Sequence, residues 1–287
     1  MAMIIFLFEF LSDGYINSLF RREIQQKDSH EFYLHYLNRG CSLLSLFAWF
    51  VLAALLRKKK YVLSALIYIV LLFVFAISDS LASFVGFIAA GLVFIATRYS
   101  FLSNPKLISV VLIISSLAFI SLTFLMDPYK TSNQNSFLPC SAKHRLFIWS
   151  FTAGKIAEKP IAGWGHGSSR MFQIPENNII TYEGYTFHPL PIHPHNNLSQ
   201  ILLENGIIGL FLYGALIIKY IFAWHKYTKS KSSALLNIRS AGYAFFVSFF
   251  VISLIAFNMW QSWWLCSYLW VALLFCNIAT KEKSSIE

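Results

Sequence analysis

Val110-Val111-Leu112-Ile113-Ile114-Ser115-Ser116-Leu117-Ala118-Phe119-Ile120-Ser121-Leu122-Thr123-Phe124-Leu125-Met126 contains no charge and nothing more polar than serine or threonine. With its upstream neighbours it forms an apolar run over 107–126, the roughly 20 residues a helix needs to cross about 30 Å of hydrocarbon. A transmembrane β-strand would instead alternate apolar and polar residues over about ten positions, and no such alternation is present. Backbone polar groups in lipid must find partners within their own segment or a closed barrel, so this run dictates a helix.

Outward from it the pattern repeats. Apolar runs fall at 39–56, 61–77, 81–97, about 198–223, 240–257 and 265–279, with a shorter one at 1–11. Hydrophobic residues make up 57% of the 287 and charged residues 13%, against roughly 25% charged in an ordinary soluble domain. The fold expected is all-α: a polytopic integral membrane helical bundle with a long periplasmic loop. Three regions follow, with N-terminal transmembrane helices over 1–126 (including a periplasmic connection near 12–38), a periplasmic loop over 127–197 and C-terminal transmembrane helices over 198–287. The run at 1–11 is too short to cross alone and suggests a chain that begins inside a membrane segment; a re-entrant or interfacial helix is the alternative. It lacks the basic start and small-residue cleavage site of a secretory signal.

The net charge of +10 could suggest nucleic acid, but the cations stand in short clusters beside apolar runs, and no nucleic-acid partner is expected. Arg57-Lys58-Lys59-Lys60, then Arg98 with Lys106, then Lys226, Lys229, Lys231 and Arg239, then Lys281 and Lys283 fall after alternate spans. The excess of positive charge on cytoplasmic loops makes that face cytoplasmic and puts 127–197 outside. The connections Ser78-Asp79-Ser80 and 258–264 carry no Lys or Arg, and Trp260, Trp263 and Trp264 suit an interfacial aromatic belt. Cys41, Cys140, Cys266 and Cys276 form no CxxC and no metal-ligand spacing, so neither a metal nor an intrachain disulfide is implied.

The chemistry concentrates in 127–197. Leu146, Trp149, Ala153 and Ile156 recur near a period of 3.6, predicting a helix from Lys143 to Glu158 that Pro160 stops. Arg145 then lies near its N-terminus, where a guanidinium fork and free backbone N–H groups suit a phosphate oxyanion. Pairing with loop carboxylates or lipid headgroups is the plainer role. Gly163-Trp164-Gly165-His166-Gly167 permits tight turns, either for close ligand approach or for packing Trp164 at the membrane surface. His188, His193 and His195 fit no zinc pattern. His195 stands just before a span, where an imidazole can serve as a general base. Glu204, inside an apolar run, is a costly carboxylate and therefore a functional suspect.

His195-Asn196, nine residues, then Gly206-Ile207-Ile208-Gly209 resembles a signature of the O-antigen ligase and polymerase superfamily. Arg145 to Trp149 followed by Lys159-Pro160-Ile161-Ala162-Gly163-Trp164-Gly165 resembles its loop motif. The likeness extends over roughly 30–275. It implies a glycosyltransferase that moves a glycan from undecaprenyl diphosphate to lipid A-core or a related acceptor, in lipopolysaccharide biosynthesis at the periplasmic face of the bacterial inner membrane. The implied partners are the carrier-linked glycan donor, the lipid A-core acceptor and membrane lipids. Chemistry in the family is inverting and metal-independent, so no cofactor is expected.

By position, Arg145 would bind the diphosphate and His195 would activate or orient the acceptor. Lys143, Arg170, Asn196, Trp149, Gly163 and Gly165 complete the expected substrate-binding set, with Asn196 and Gly206 also suited to shaping the start of the following helix. Many relatives carry a Ser-Arg pair at the start of the helix that here begins Ser78-Asp79-Ser80-Leu81, and Leu81 stands where the second phosphate-binding Arg is expected, so diphosphate binding should weaken unless Lys143, Arg170 or Arg21-Arg22 substitutes. The alternatives are an O-antigen polymerase, an inactive family member, or a transporter of a lipid-linked substrate. The mostly apolar spans argue against the last.

Overall fold

The computed structural model describes residues 8–9, 11–12, 14–23, 37–78, 80–99, 103–135, 138–172, 179–182 and 184–286. Most of the run at 1–11, together with Asp79, lies outside them. The helices are α1 (Tyr15–Glu23), α2 (Asn38–Arg57), α3 (Tyr61–Ile77), α4 (Leu81–Tyr99), α5 (Pro105–Leu125), α6 (Pro128–Gln134), α7 (Cys140–Glu158), α8 (Asn197–Tyr227), α9 (Ser233–Ile255) and α10 (Ser262–Lys283). Strands β1 (Ile180–Tyr182) and β2 (Tyr185–Phe187) form a small antiparallel ribbon that the sequence reading did not anticipate.

Six of these helices (α2, α4, α5, α8, α9 and α10) are long and apolar enough to cross a membrane. At 17 residues, α3 sits at the lower limit of a span. Every long span expected from the sequence is therefore a helix, and the all-α membrane architecture holds. The start of α9 differs, because the helix begins at Ser233 rather than at 240. Asn237 and Arg239 made its first turns look like a loop, but the Asn237 side chain and the Arg239 backbone find partners within the protein. Arg98 Nε donates to Asn237 Oδ1 at 2.6 Å, Asn237 Nδ2 donates to the Leu56 carbonyl, and the Trp224 indole donates to the Arg239 carbonyl at 3.0 Å.

The chain folds as two compact units. The first comprises Met1–Ser103, Trp224–Ile252 and Trp263–Glu287. Lipid gives packed helices no hydrophobic drive, so small residues and interhelical hydrogen bonds hold them. Here Ser42 meets Ser83 at 3.1 Å, Ser45 meets Ser248 at 2.6 Å, and Cys41 meets Ser78 at 3.2 Å, all buried. The basic ends of the helices gather: Arg57 pairs with Glu282, Arg98 also donates to Ser233 Oγ, and Lys283 lies over the Tyr227 ring at 4.6 Å. The alternate loops thus share one end of this unit, as their charge pattern requires. Trp264 is not a belt residue, being fully buried and stacked on Phe249 at 5.0 Å. Near the chain start, Glu9 caps α1 by accepting from the Ile16 and Asn17 amides.

The second unit comprises Asn104–Ala223 and Ser253–Ser262. Asn104 and Asp127 cap α5 and α6, each followed by proline at the first helical position, where a missing N–H costs nothing. The α7 helix packs on both α5 and α6. Ile148, Ile156, Leu190, Leu202 and Leu203 form the core, with Trp149 and Trp164 against it. Residues from α7, the histidine segment and α8 therefore share one apolar nucleus.

Candidate active site

The scaffold is a broken helix. At Gly206, α8 adopts φ 62° and ψ −162°, which interrupts the i→i−4 ladder. Such a break frees the carbonyls of residues 203 and 204 and the amides of 207 and 208. Unpaired at membrane depth, each would cost several kcal/mol. The segment after α7 supplies all four partners. Trp164 N donates to the Leu203 carbonyl at 2.8 Å and Gly165 N to the Glu204 carbonyl at 2.9 Å, while Ile207 N and Ile208 N donate to the carbonyls of Pro160 and Ile161. Only glycine permits this approach. A Cβ on Gly206 would overlap the Ile161 carbonyl, and one on Gly163 would stand 2.5 Å from the Glu204 carbonyl carbon. The Trp164 indole donates to the Lys155 carbonyl at 2.7 Å and lies under the Lys159 ammonium, closing the segment back onto α7.

The break fixes the first turns of α8, and with them the histidine segment. Asn196, fully buried, caps the helix by accepting from the Leu198 and Ser199 amides at 3.0 and 3.1 Å. Immediately before it, His195 has φ 54°, a left-handed conformation unusual for a residue with a side chain. Its amide donates to His193 Nδ1 at 3.1 Å. Its own Nδ1 lies 2.8 Å from the Ala256 carbonyl. A carbonyl only accepts, so this nitrogen carries the proton and Nε2 is left with its lone pair.

Burial is the main reason the His195 imidazole loses its proton more easily than usual, down to about 4; the neighbouring Arg145 charge adds to the effect, against the Ala256 hydrogen bond. Burial likewise pushes His193 down to about 3, helped by His195, Arg170 and Arg145. Both rings are neutral at pH 7.

Arg145 lies on the face of α7 that also carries Trp149, one turn on. The Trp149 indole donates to the Pro194 carbonyl at 3.1 Å, pinning the histidine segment to this helix just before His195. Arg145 Nη1 donates to the Ser141 carbonyl, and its Nε is buried with no hydrogen-bond partner among the described residues. Burial lowers the guanidinium from its ordinary value, yet it stays cationic at neutral pH. The arrangement is an incompletely satisfied cation close enough for its charge to be felt by a neutral imidazole whose Nε2 keeps its lone pair. An anion with a nearby hydroxyl would complete both.

The O-antigen ligase family model matches residues 66–214, just over half of the chain. The chain belongs to the O-antigen ligase family. The matched stretch includes Arg145, the Pro160–Gly165 segment, His195 and the helix break. Proteins of Rickettsia typhi and Rickettsia conorii, both provisionally named polysaccharide ligases, are each 40% identical to the chain over 273 residues. A Rickettsia felis protein of the same provisional name is 40% identical over 276. These alignments take in 95% of this chain but only 63–64% of the relatives' own lengths. No solved structure matches.

Several residues expected at the substrate are occupied otherwise in this family member. Asn196 uses its oxygen as a helix cap, Trp149 uses its N–H on backbone, Gly163 packs against the helix break, and Gly165 gives its N–H to the Glu204 carbonyl while its other side stays open. Lys143 is buried on the opposite face of α7, with its ammonium 5.7 Å from the Tyr182 ring. Arg170, exposed and felt by His193, remains as the second cation near the histidines. Arg22 pairs with Glu23, and Leu81 opens α4 half-exposed.

Sequence reasoning missed Gln200, which is 1% exposed and donates to Glu204 and Asn258. It also missed the turn at 256–261, read only as a connection without positive charge. Glu204, suspected for its setting, is 1% exposed and accepts from Gln200 Nε2 at 2.9 Å and the Trp260 indole at 2.6 Å. A polar residue one turn before a buried carboxylate was the available signal for Gln200.

Proposed function

We propose that the chain transfers a glycan from undecaprenyl diphosphate to a sugar hydroxyl of lipid A-core, or a related acceptor, at the periplasmic face of the bacterial inner membrane. The observation that carries this reading is the His195 tautomer near Arg145: an imidazole with Nε2 unprotonated, within the field of a partly buried guanidinium whose Nε has no partner among the described residues. Family membership and the relatives' provisional names support ligation of a polysaccharide. The grouping of Arg57, Arg98 and Lys283 at one end of the first unit supports a cytoplasmic end there.

In this reaction the acceptor hydroxyl oxygen attacks the anomeric carbon of the donor sugar. The bond from that carbon to the diphosphate oxygen breaks, and the diphosphate leaves with the electron pair. His195 Nε2 takes the hydroxyl proton, and attack from the face opposite the leaving group inverts the anomeric centre. Arg145 binds the diphosphate through its fork, and Arg170 adds charge from the surface, so that both stabilise the oxyanion that develops. A bound diphosphate also offsets the Arg145 charge that lowers the His195 pKa. Donor binding thereby raises the basicity of His195 when the base is needed.

Complementation of a ligase-deficient strain tests the reading. Wild-type protein should restore glycan-capped lipid A-core, whereas Arg145→Ala and His195→Ala should not while still inserting at wild-type levels. Full transfer by both variants would remove these residues from the chemistry. Uptake of lipid-linked substrate into vesicles without acceptor glycosylation would indicate a transporter instead.

A further inference from the structure

We infer that Gln200 and Glu204 are positioning residues for His195, acting through the turn that follows α9 to fix which ring nitrogen carries the proton. The inference concerns the tautomer and rests on the reading of His195 given above only for its effect on transfer.

The tautomer depends on a single contact, His195 Nδ1 to the Ala256 carbonyl. That carbonyl belongs to no regular element, since α9 ends at Ile255 and α10 starts at Ser262. Its place is set by what ties down 256–261, and the ties lead to α8. Met259 N donates to Gln200 Oε1 at 2.9 Å, and Gln200 Nε2 donates to Asn258 Oδ1 at 3.2 Å. Asn258 Oδ1 accepts in turn from Trp260 N at 2.7 Å. The Trp260 indole reaches Glu204 Oε2, and Glu204 Oε1 accepts the other Gln200 N–H. One amide and one carboxylate on successive turns of α8 therefore hold three consecutive residues of the turn.

His195 lies at the N-terminal end of the same helix, five residues before Gln200. Nucleophile-activating ring and ring-orienting carbonyl are thus referenced to one rigid segment, so the 2.8 Å contact does not depend on the loop's own stiffness. His166 approaches the same carboxylate oxygen at 3.5 Å and meets the Trp260 ring edge-on at 4.9 Å. This links the glycine-rich segment that fills the helix break to the turn as well. A buried carboxylate at this depth is costly unless donors meet it, and here Gln200 and Trp260 supply one to each oxygen.

If the network is loosened, Ala256 moves, Nδ1 loses its fixed acceptor, and the proton redistributes between the two ring nitrogens. The fraction of molecules offering an Nε2 lone pair then falls, which lowers turnover without touching donor binding.

Nitrogen-15 spectroscopy of histidine-labelled protein in nanodiscs reads the tautomer directly, with His195→Gln identifying the resonances. The wild type should show His195 protonated at Nδ1 between pH 6 and 8. Gln200→Leu and Trp260→Phe should each give a mixed tautomer, with kcat reduced about twofold to fivefold for Gln200→Leu, less for Trp260→Phe, and KM for the donor within about twofold in both. Glu204→Gln, which retains one acceptor oxygen, should lie closer to wild type than Glu204→Leu. Trp260 is half-exposed, so its phenylalanine variant decides the matter should Gln200→Leu fail to fold. An unchanged Nδ1-protonated ring in the folded variants would overturn the inference. A tautomer that shifts while kcat holds would leave it standing and sink the catalytic reading of His195.

Discussion

Gly206 lies directly against the carbonyl of Ile161, so that the break in one helix and the turn after another occupy the same space. Replacing Gly206 by alanine forces a Cβ into that carbonyl and strains a backbone already at φ 62°. The Pro160–Gly165 segment must then withdraw, leaving two carbonyls and two amides of α8 unpaired. Gly206→Ala and Gly163→Ala should each abolish transfer and the folded, protease-resistant protein in membranes. Gly154→Ala is the control, since a Cβ there meets nothing within 4 Å and α7 gains helix propensity of up to about 1 kcal/mol. Equal resistance to limited proteolysis in all three would refute this account of the glycines.

Trp149 holds the histidine segment by one hydrogen bond and fills the core with its ring. Trp149→Phe keeps most of the ring and removes only the donor to Pro194, a loss of about 1 kcal/mol or somewhat more if the carbonyl stays buried and unpaired. Transfer should drop about fivefold to tenfold with near-normal expression. Trp149→Ala should lose the fold as well. Steady-state kinetics of the phenylalanine variant provide the check, and wild-type turnover would release Trp149 from any role in placing His195.

The membrane spans were legible because lipid leaves so few solutions: a long uncharged run has to be a helix, and the ends of α2, α3 and α4 follow from that alone. The start of α9 was not, since the Asn237 side chain and the Arg239 carbonyl find partners in Arg98, Leu56 and Trp224 on other helices, and no local pattern encodes those. Arg145 and His195 could be read from residue chemistry and family likeness. The duties of Asn196, Trp149, Gly163 and Gly165 could not, because a cap, a backbone donor and a close approach of two chains look like ligand contacts until the second segment is in place. Lys143 illustrates the same limit: two residues from Arg145 in sequence, it lies on another face of α7.

The depressed pKa values of His193 and His195 fix a pH dependence whose sign is opposite to that of a histidine paired with a carboxylate. Between an unfolded value of about 6.5 and folded values of about 3 and 4, the unfolded chain binds more protons. Stability contributed by these neutral rings is therefore intact above pH 6.5 and declines as pH falls toward 4. The thermal unfolding midpoint should fall over that window, and less steeply in His193→Gln/His195→Gln. In kinetics, the acid limb of kcat/KM, which reports the free enzyme, should lie below pH 5, whereas that of kcat should move upward because bound diphosphate favours the imidazolium. A limb near 6.5 in kcat/KM would contradict the burial of His195.

Arg145 and Arg170 differ in setting, and the difference predicts an order of effects on donor binding. The Arg145 side chain is partly buried, with its Nε withdrawn from water and without a partner among the described residues, so a phosphate oxygen reaching the guanidinium completes a charge-assisted bond worth about 1.5–3 kcal/mol, or roughly a tenfold to hundredfold change in affinity. Arg170 is exposed, where screening limits a single charge to about 1 kcal/mol or less, within about fivefold. Lysine at 145 keeps the charge but loses the planar fork, so it should fall between the two. Binding of undecaprenyl diphosphate to protein in nanodiscs should therefore weaken most for Arg145→Ala, less for Arg145→Lys and least for Arg170→Ala. The Arg170 effect should fade with added salt, since its charge faces solvent, while the Arg145 effect should persist. If Arg170→Ala proved the most damaging, the diphosphate would have to bind at the surface of the loop, and the partly buried guanidinium of Arg145 would have to serve the fold alone.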